Sequence, residues 1–201
     1  ELLLKNKVSE ENKNIIIRNF NKEVDRMNRL ISDISNFSRT ISEIEIEDFK
    51  QVDLNNFIEN FKNNYLGNYK NINLHLILNN KNLNLLINED KFFQVILNII
   101  DNSISMAENN SIILLKTSII GNEYACLKIY DQGPGISDEY KYKIFDRFYS
   151  DRKEAKNKHS GLGLSISKEI IKSFNGSIEL AKSDETNFTG ACFLIKLPLR
   201  L

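Results

Sequence analysis

The chain has 201 residues and carries 27 basic and 27 acidic side chains, so its formal net charge is zero. Proteins that bind duplex nucleic acid need many Lys and Arg side chains for the phosphates, so this balance argues against a nucleic-acid partner. Hydrophobic residues make up 41% of the chain and charged residues 27%, which excludes global disorder and is typical of a globular protein.

A helical pattern without Gly or Pro runs from residue 9 to about residue 41, with Ser9 as the expected N-cap. Its apolar residues alternate at spacings of three and four, which is a heptad stripe. The stripe consists of Ile17, Phe20, Val24, Met27, Ile31 and Ile34, and it is widened by Leu30, Phe37 and Ile41.

At 1.5 Å per residue this helix is roughly 50 Å long, which is more than a small domain can cover. We therefore expect a homodimer in which the helix over residues 9–41 packs against a second copy. A long surface helix in a monomer is the alternative. Residues 2–4 are interpreted as the end of a preceding antiparallel helix, and because the chain begins with Glu1 rather than Met, we expect it to be a fragment.

The acidic segment 43–48 loses the heptad and predicts a linker or a short edge strand, which divides the chain into residues 1–48 and 49–201. A second helix follows, with Asp53 as its cap and Gly67 at its end. Its apolar face consists of Leu54, Phe57, Ile58, Phe61 and Tyr65.

The remaining elements are grouped by type rather than strictly alternating, which favours an α+β fold over a doubly wound parallel sheet. Alternating or β-rich runs predict strands, and an almost entirely apolar helix is expected to be buried. The predicted strands are 72–78, 83–87, 112–119, 124–130 and a hairpin of 177–182 with 191–197; the predicted helices are 89–107, a segment near 139–148, and 162–174.

Two side-chain amides interrupt the buried helix. Asn98 and Asn102 are four residues apart and so share one helix face. Burying an unpaired amide costs about 1 to 3 kcal/mol, so we expect polar partners for both. An amide oxygen also suits Mg²⁺, which takes further ligands from waters and phosphates. The alternative is that these are two asparagines of compositional origin.

Two glycine-containing segments are candidates for a ligand site. In Asp131-Gln-Gly133-Pro-Gly135 the glycines allow a close backbone approach, and Asp131 can accept a hydrogen bond from an exocyclic amine such as adenine N6. The segment beginning at Thr189 brings Gly and Ala beside Asp131 if the two strands pair. A tight turn without a ligand is the alternative.

A second glycine-rich segment, Ser160-Gly161-Leu162-Gly163-Leu164, leads into a helix. A helix N-terminus presents free N–H groups and a positive dipole end, so this segment predicts a phosphate site. The polar stretch before it is expected to form a lid whose lysines, among them Lys158, can reach phosphates. A solvated loop is the alternative for those charges.

The order of these segments resembles the N, G1, F, G2 and G3 boxes of sensor histidine kinases. The boxes are Asn98/Asn102, Asp131-x-Gly-x-Gly, Ile144-Phe-Asp-Arg-Phe148, Ser-Gly-Leu-Gly-Leu and Thr189-Gly-Ala-x-Phe. The long helix resembles the second helix of that family's dimerisation and phosphotransfer domain. Within the family, it and the segment from His159 most resemble ChvG-type sensors of alphaproteobacteria.

The resemblance implies a two-layer α/β sandwich, preceded by a helical-hairpin fragment, that binds ATP and Mg²⁺. It implies that Asn102 holds Mg²⁺ and that Asn98 faces the nucleotide, so that both serve catalysis. Thr189 would support the adenine-reading Asp131 through water, and Phe145 and Phe148 would pack at the lid base. The remaining nucleotide-binding residues would be Gly133, Gly135, Ile136, Lys158, Ser160, Gly161, Leu162, Gly163 and Leu164.

The implied activity is transfer of the ATP γ-phosphoryl group to a histidine and then to a response-regulator aspartate. Neither His75 nor His159 lies in an acceptor context, so we expect the acceptor upstream of Glu1. Ser105 and Met106 stand where many relatives have Lys or Arg and an aromatic residue. The alternatives are a hydrolytic ATPase of the same superfamily, or a nucleotide-dead dimerisation scaffold.

The implied location is cytoplasmic, with membrane attachment only through the missing N-terminal part of the parent. No run in the chain approaches the roughly 18 to 20 apolar residues of a membrane span, and no signal peptide is visible. Cys126 and Cys192 lack metal-ligand spacing, so we predict two buried, reduced thiols; a disulfide is the alternative.

Overall fold

The computed structural model describes residues 10–42, 49–65, 73–106, 111–149 and 161–200. The first element is helix α1, Glu10–Ser42, and it confirms the long helix expected from the heptad pattern. All six residues of the heptad stripe are between 37% and 67% exposed. The predicted Ser9 cap, the helix end at residues 2–4, the acidic segment 43–48 and the helix end at Gly67 lie outside the described residues.

The described strands form two sheets. A small antiparallel sheet pairs β1, Lys50–Asp53, with β3, Asn84–Ile87. The larger sheet has five strands in the order β2-β4-β5-β7-β6, in which only the β2–β4 pair is parallel. Its strands are β2 Asn73–Ile77, β4 Ile112–Ile120, β5 Tyr124–Tyr130, β6 Ser177–Leu180 and β7 Cys192–Pro198.

Three helices cover one face of the five-stranded sheet: α2, Leu54–Tyr65; α3, Glu89–Met106; and α4, Gly163–Ser173. Alternate residues of β4, β5 and β7 join these helices in one core, whereas the intervening Leu114, Tyr130 and Cys192 form a second cluster on the other face. The domain is therefore an α+β fold with a helical layer on a mixed sheet, as expected.

Local signals fix the start of α2. The Asp53 carboxylate accepts the N–H of Asn56 (2.9 Å), which confirms the predicted cap, and it also accepts the N–H of Leu83 (2.7 Å). Leu54, Phe57, Ile58 and Phe61 are buried, as the apolar face of this helix predicts.

The helical segment expected near residues 139–148 differs in the structure. Two single turns of 3₁₀ helix, Asp138–Tyr140 and Lys143–Phe145, replace it. Only Ile144 and Phe145 are buried in this stretch, so packing anchors one turn and does not support a longer α-helix. The predicted hairpin is confirmed, with Leu180 of β6 opposite Phe193 of β7.

Among the described helices, none combines the length and the apolar content that a membrane-spanning segment requires.

Candidate functional site

The Asp131 side chain forms the centre of the candidate site. It follows β5 directly and is only 5% exposed. Its Oδ1 accepts the N–H groups of Gly133 (3.0 Å) and Ala191 (2.9 Å), and its Oδ2 accepts the hydroxyl of Ser103 (3.0 Å). The carboxylate is therefore held from three separate parts of the chain.

Strand pairing brings residues 189–191 to Asp131. Tyr130 lies opposite Cys192 in the antiparallel β5–β7 pair, so the residues just outside both strands meet. The Asp131 N–H donates to the Ala191 carbonyl (3.0 Å), and the Gly190 N–H donates to the Asp131 carbonyl (3.2 Å). This confirms the close approach expected if these strands pair.

The lack of a side chain at Gly190 makes that approach possible. A Cβ built on Gly190 would lie 2.0 Å from Asp131 Oδ1 and 2.6 Å from the Asp131 carbonyl oxygen. The Thr189 side chain is exposed, and the three bonds to the Asp131 carboxylate come from Gly133, Ala191 and Ser103 instead.

Burial and three hydrogen bonds act in opposite directions on the pKa of the Asp131 carboxyl group. Burial raises the pKa of the Asp131 carboxyl group, and the bonds from Gly133, Ala191 and Ser103 oppose that rise. A carboxylate has about four acceptor positions, of which bonds from the described residues use three. One acceptor position on Oδ2 is therefore not used by the described residues.

The glycine turn after β5 lies against the end of α3. Gly135 has φ of +77°, a backbone conformation that favours glycine. A Cβ on Gly133 would come within 3.2 Å of Asp131 Oδ1 and 3.6 Å of the Met106 carbonyl oxygen. Ile136, partly buried, packs against the main core. The lack of a side chain at Gly133 thus avoids a tight contact with the Asp131 carboxylate.

The two amides of α3 lie near the start of α4. Asn98, which is partly buried, donates from Nδ2 to the Gly163 carbonyl (3.0 Å) and to Ser167 Oγ (3.2 Å). The polar partner expected for this amide is therefore the first turn of α4. Asn102 is partly buried one turn later on the same face, and its backbone carbonyl accepts the Ser105 hydroxyl (2.7 Å).

The start of α4 is a glycine turn, as predicted. Gly161 has φ of +75°, and a Cβ there would lie 2.8 Å from backbone atoms of Phe148 and Tyr149. The Phe148 N–H donates to the Gly161 carbonyl (3.1 Å). Leu162 is buried and Leu164 packs against the core, which orients the N–H groups of the first turn. Lys158 and Ser160 lie outside the described residues.

The two phenylalanines of the predicted lid base differ. Phe145 is buried, and its ring makes an edge contact with Phe193 at 6.5 Å between centroids. Phe148 is 55% exposed and has φ of +63°. Its backbone turns toward Gly161, and the predicted lid against which its ring was expected to pack lies outside the described residues.

Two serines of this site were not identified from the sequence, Ser103 and Ser167. Both are buried polar residues on otherwise apolar helix faces, and buried hydroxyls normally have partners. The apolar neighbours of both serines are visible in the sequence, but Asp131, the partner of Ser103, and Asn98, the donor to Ser167, lie 28 and 69 residues away along the chain.

The metal-ligand chemistry of the described part of the chain is limited. Within those ranges no group of three or more His, Cys, Asp or Glu side chains is placed to hold a metal ion. Cys126 and Cys192 are free and buried, as predicted.

A family model described as "Histidine kinase-, DNA gyrase B-, and HSP90-like ATPase" matches residues 87–201. The sensor protein ChvG of Rhizobium meliloti is 32% identical over 204 residues, which cover 94% of this chain and 35% of that protein. The chain thus spans about a third of that relative's length.

Solved structures show the same fold. A mycobacterial sensor histidine kinase, MprB, matches with a TM-score of 0.65 and 23% identity, over 76% of this chain and 98% of that one. The histidine kinase ThkA, solved in complex with the response regulator protein TrrA, matches with a TM-score of 0.66 and 21% identity, over 98% of this chain and 54% of that one.

Proposed function

Since this chain belongs to the histidine kinase-, DNA gyrase B- and HSP90-like ATPase family, we propose that it is the ATP-binding catalytic part of a sensor histidine kinase. Its parent transfers the γ-phosphoryl group of ATP to a histidine and then to a response-regulator aspartate. The observation that carries this proposal is the buried Asp131 carboxylate, which is fixed by three hydrogen bonds beside a glycine turn.

Asp131 accepts a hydrogen bond from the adenine amine at its remaining position. Gly133, Gly135 and Ile136 line the base, because the glycines leave room for a flat ring next to the carboxylate. Thr189 borders this pocket. Recognition of the base by a fixed buried acceptor gives specificity, since a base without the amine leaves Asp131 short of a donor.

The phosphates lie at the N-terminus of α4. Gly161, Leu162, Gly163 and Leu164 supply backbone N–H groups there, and α4 adds its dipole. Lys158 and Ser160 extend this phosphate site, and Phe145 and Phe148 flank it. The neutral net charge of the chain is compatible with such a site, because backbone N–H groups rather than many lysines bind the anion.

Asn102, together with the ATP phosphates, holds Mg²⁺. The Asn102 amide lies on the same face of α3 as Asn98, which is hydrogen-bonded to the start of α4. Amide oxygens of this kind fit the ion as ligands. The remaining ligands of the ion come from the phosphates and from water. Bound Mg²⁺ neutralises charge on the phosphates during transfer.

The amide side chain of Asn98 and its hydrogen bonds favour phosphoryl transfer over hydrolysis. Hydrolytic members of the superfamily resemble this fold but have a Glu general base at this position. Here the residue is an amide whose Nδ2 is already bonded to Gly163 and Ser167. An amide does not take a proton from water, so the site positions ATP without activating a nucleophilic water.

The partners follow from the same proposal. The receiver domain of a response regulator is the phosphoryl acceptor, as the ThkA complex with TrrA suggests. The exposed heptad stripe of α1 packs against a second copy of the chain. Residues 1–48 belong to the dimerisation region and residues 49–201 to the catalytic domain, which works in the cytoplasm beneath a membrane-anchored sensor.

Titration with ATP and Mg²⁺ by isothermal calorimetry tests this function. We expect saturable binding, and we expect Asp131→Asn to weaken it by about fivefold to 150-fold, because an unsatisfied buried group costs about 1 to 3 kcal/mol. Asp138→Asn is the control, since the Asp138 side chain is exposed and bonds only to Lys141 among the described residues. No binding at millimolar ATP, or unchanged affinity in Asp131→Asn, would leave the dimerisation scaffold as the better reading.

A steady-state ATPase assay separates the kinase from a hydrolase. We expect little hydrolysis, and no autophosphorylation of this chain with radiolabelled ATP. Steady hydrolysis that disappears in Asn98→Ala would favour the hydrolytic ATPase.

A further inference from the structure

We propose that Ser103 is a positioning residue for base recognition: its hydroxyl fixes the Asp131 carboxylate so that one acceptor position of Oδ2 faces the adenine amine. This inference rests on the proposed ATP site and deepens it. Ser103 lies on α3 directly after Asn102 and is 2% exposed.

The hydrogen bonds of Asp131 single out Oδ2 as the oxygen that reads the ligand. Oδ1 already accepts two backbone N–H groups, from Gly133 and Ala191, and these occupy its two acceptor positions. Oδ2 accepts only Ser103 among the described residues. A hydrogen-bond donor on the base therefore bonds to Oδ2. The Ser103 hydroxyl occupies one lone pair of Oδ2, and its position sets the direction in which the second lone pair of Oδ2 points.

The hydrogen bond of Ser103 differs from those of four other helical serines. The hydroxyls of Ser105, Ser165, Ser167 and Ser173 all donate to a carbonyl three or four residues earlier in the chain. Ser103 instead donates across to the end of β5, 28 residues away. Its hydroxyl links the helix that carries Asn98 and Asn102 to the carboxylate that reads the base.

Loss of the Ser103 hydrogen bond should change how the buried Asp131 carboxylate binds a ligand. Burial raises the pKa of Asp131, and the Ser103 hydroxyl is one of the three donors that oppose the rise. Without it, Oδ2 has no described partner and the carboxylate plane is fixed only through Oδ1. The loss should therefore appear in recognition of the 6-amino group and not in binding of the ribose or phosphates.

The test compares ATP with purine riboside triphosphate, which lacks the 6-amino group, by calorimetry with Mg²⁺. We expect wild-type protein to prefer ATP. Ser103→Ala should weaken ATP binding about five- to tenfold, the magnitude of one ordinary hydrogen bond, because Oδ2 is then no longer held toward the 6-amino group. Its affinity for purine riboside triphosphate should change less than about twofold. Ser173→Ala, which removes a hydroxyl bonded within α4 far from the base, should leave both affinities unchanged.

A serine with only a structural role would give a different result. If Ser103→Ala weakened both nucleotides equally, or neither, the proposal would be wrong while the ATP site stood. If wild-type protein bound no ATP, the proposed function itself would fail. Should Ser103→Ala not fold, Ser103→Cys nearly preserves the volume but donates weakly; a lowered preference for ATP in that variant supports the role, and an unchanged preference overturns it.

Discussion

At the scale of single residues, Gly190 is the position where the site tolerates least change. A Cβ there would lie 2.0 Å from the Asp131 carboxylate, so Gly190→Ala must displace Asp131 or the strand end. We expect a loss of about 1 to 3 kcal/mol in unfolding free energy and at least about tenfold weaker ATP binding. Chemical denaturation and calorimetry measure the two effects.

Gly121→Ala is the matched control for that substitution. Gly121 has φ of +61° in the β4–β5 turn, but a Cβ there meets no atom within 4 Å. Its cost is that of a left-handed backbone alone, about 1 kcal/mol, and ATP affinity should not change. Wild-type affinity in Gly190→Ala would contradict the tight contact.

The two cysteines permit a second prediction at this scale. Burial raises the pKa of Cys192 to about 11 and also raises the pKa of Cys126. Because the thiolate is the reactive form, both should resist alkylation in the native protein at pH 8. Mass spectrometry after iodoacetamide treatment should find them unmodified until denaturant is added. Rapid native labelling would show that the strands around them open.

At the scale of elements, the loop over residues 181–191 matters because it delivers Gly190 and Ala191 to Asp131. Asp184 anchors this loop by accepting the Tyr130 hydroxyl (2.5 Å) and the Lys128 ammonium (2.9 Å). The ring of Phe188 packs 5.9 Å from that of Tyr130. The loop therefore covers the sheet face opposite the helices and ends at the site.

The Asp184 anchor should make stability depend on pH. The Tyr130 hydroxyl, and then Lys128, lower the pKa of Asp184 to about 2, whereas an unfolded Asp titrates near 3.9. The stabilisation is thus complete above about pH 4 and is lost as pH falls toward 2. Unfolding free energies of wild-type protein and Asp184→Asn should differ at pH 6 and converge near pH 2. A constant difference across this range would show that the charge of Asp184 is not what anchors the loop.

At the scale of the whole molecule, α1 and the rest of the described chain differ in burial. All buried hydrophobic side chains among the described residues lie at or beyond Leu54, whereas the stripe on α1 is exposed. Phe49, the first described residue after α1, packs edge-on against Phe174, with 5.3 Å between ring centroids. The buried core of the described residues is therefore built without α1, whose heptad stripe is exposed.

Light scattering after size exclusion tests this division. We expect the full chain to have about twice the 23.3 kDa of one copy, and a chain beginning at Phe49 to be a folded monomer with cooperative unfolding. Ile31→Glu should dissociate the dimer, because it places a charge in the stripe. Ser32→Glu, outside the stripe, should not. A full chain of 23 kDa at micromolar concentration would contradict the dimer.

The sequence by itself determined most elements, because hydrophobic periodicity marks buried faces: α1, the buried helix α3 and the β6–β7 hairpin all lie where their patterns predict them. It also identified Asp131 and Gly161, since strand ends and glycine turns have local signatures. The prediction of a helical segment near residues 139–148 was wrong, because only the tertiary structure shows which of those side chains are buried in the core.

Only the tertiary structure decided which distant side chains meet. The bond of Ser103 to Asp131, the attachment of Asn98 to Gly163, and the exposure of Phe148 depend on how α3, α4 and β5 pack. The two hydrogen bonds are set by strand register and helix packing over separations of 28 and 65 residues, and no local pattern encodes them. The segments of the candidate site were thus identifiable in the sequence, as was the local turn in which Gly133 bonds to Asp131, whereas the bonds that Ser103 and Ala191 make to the Asp131 carboxylate arise only from the fold.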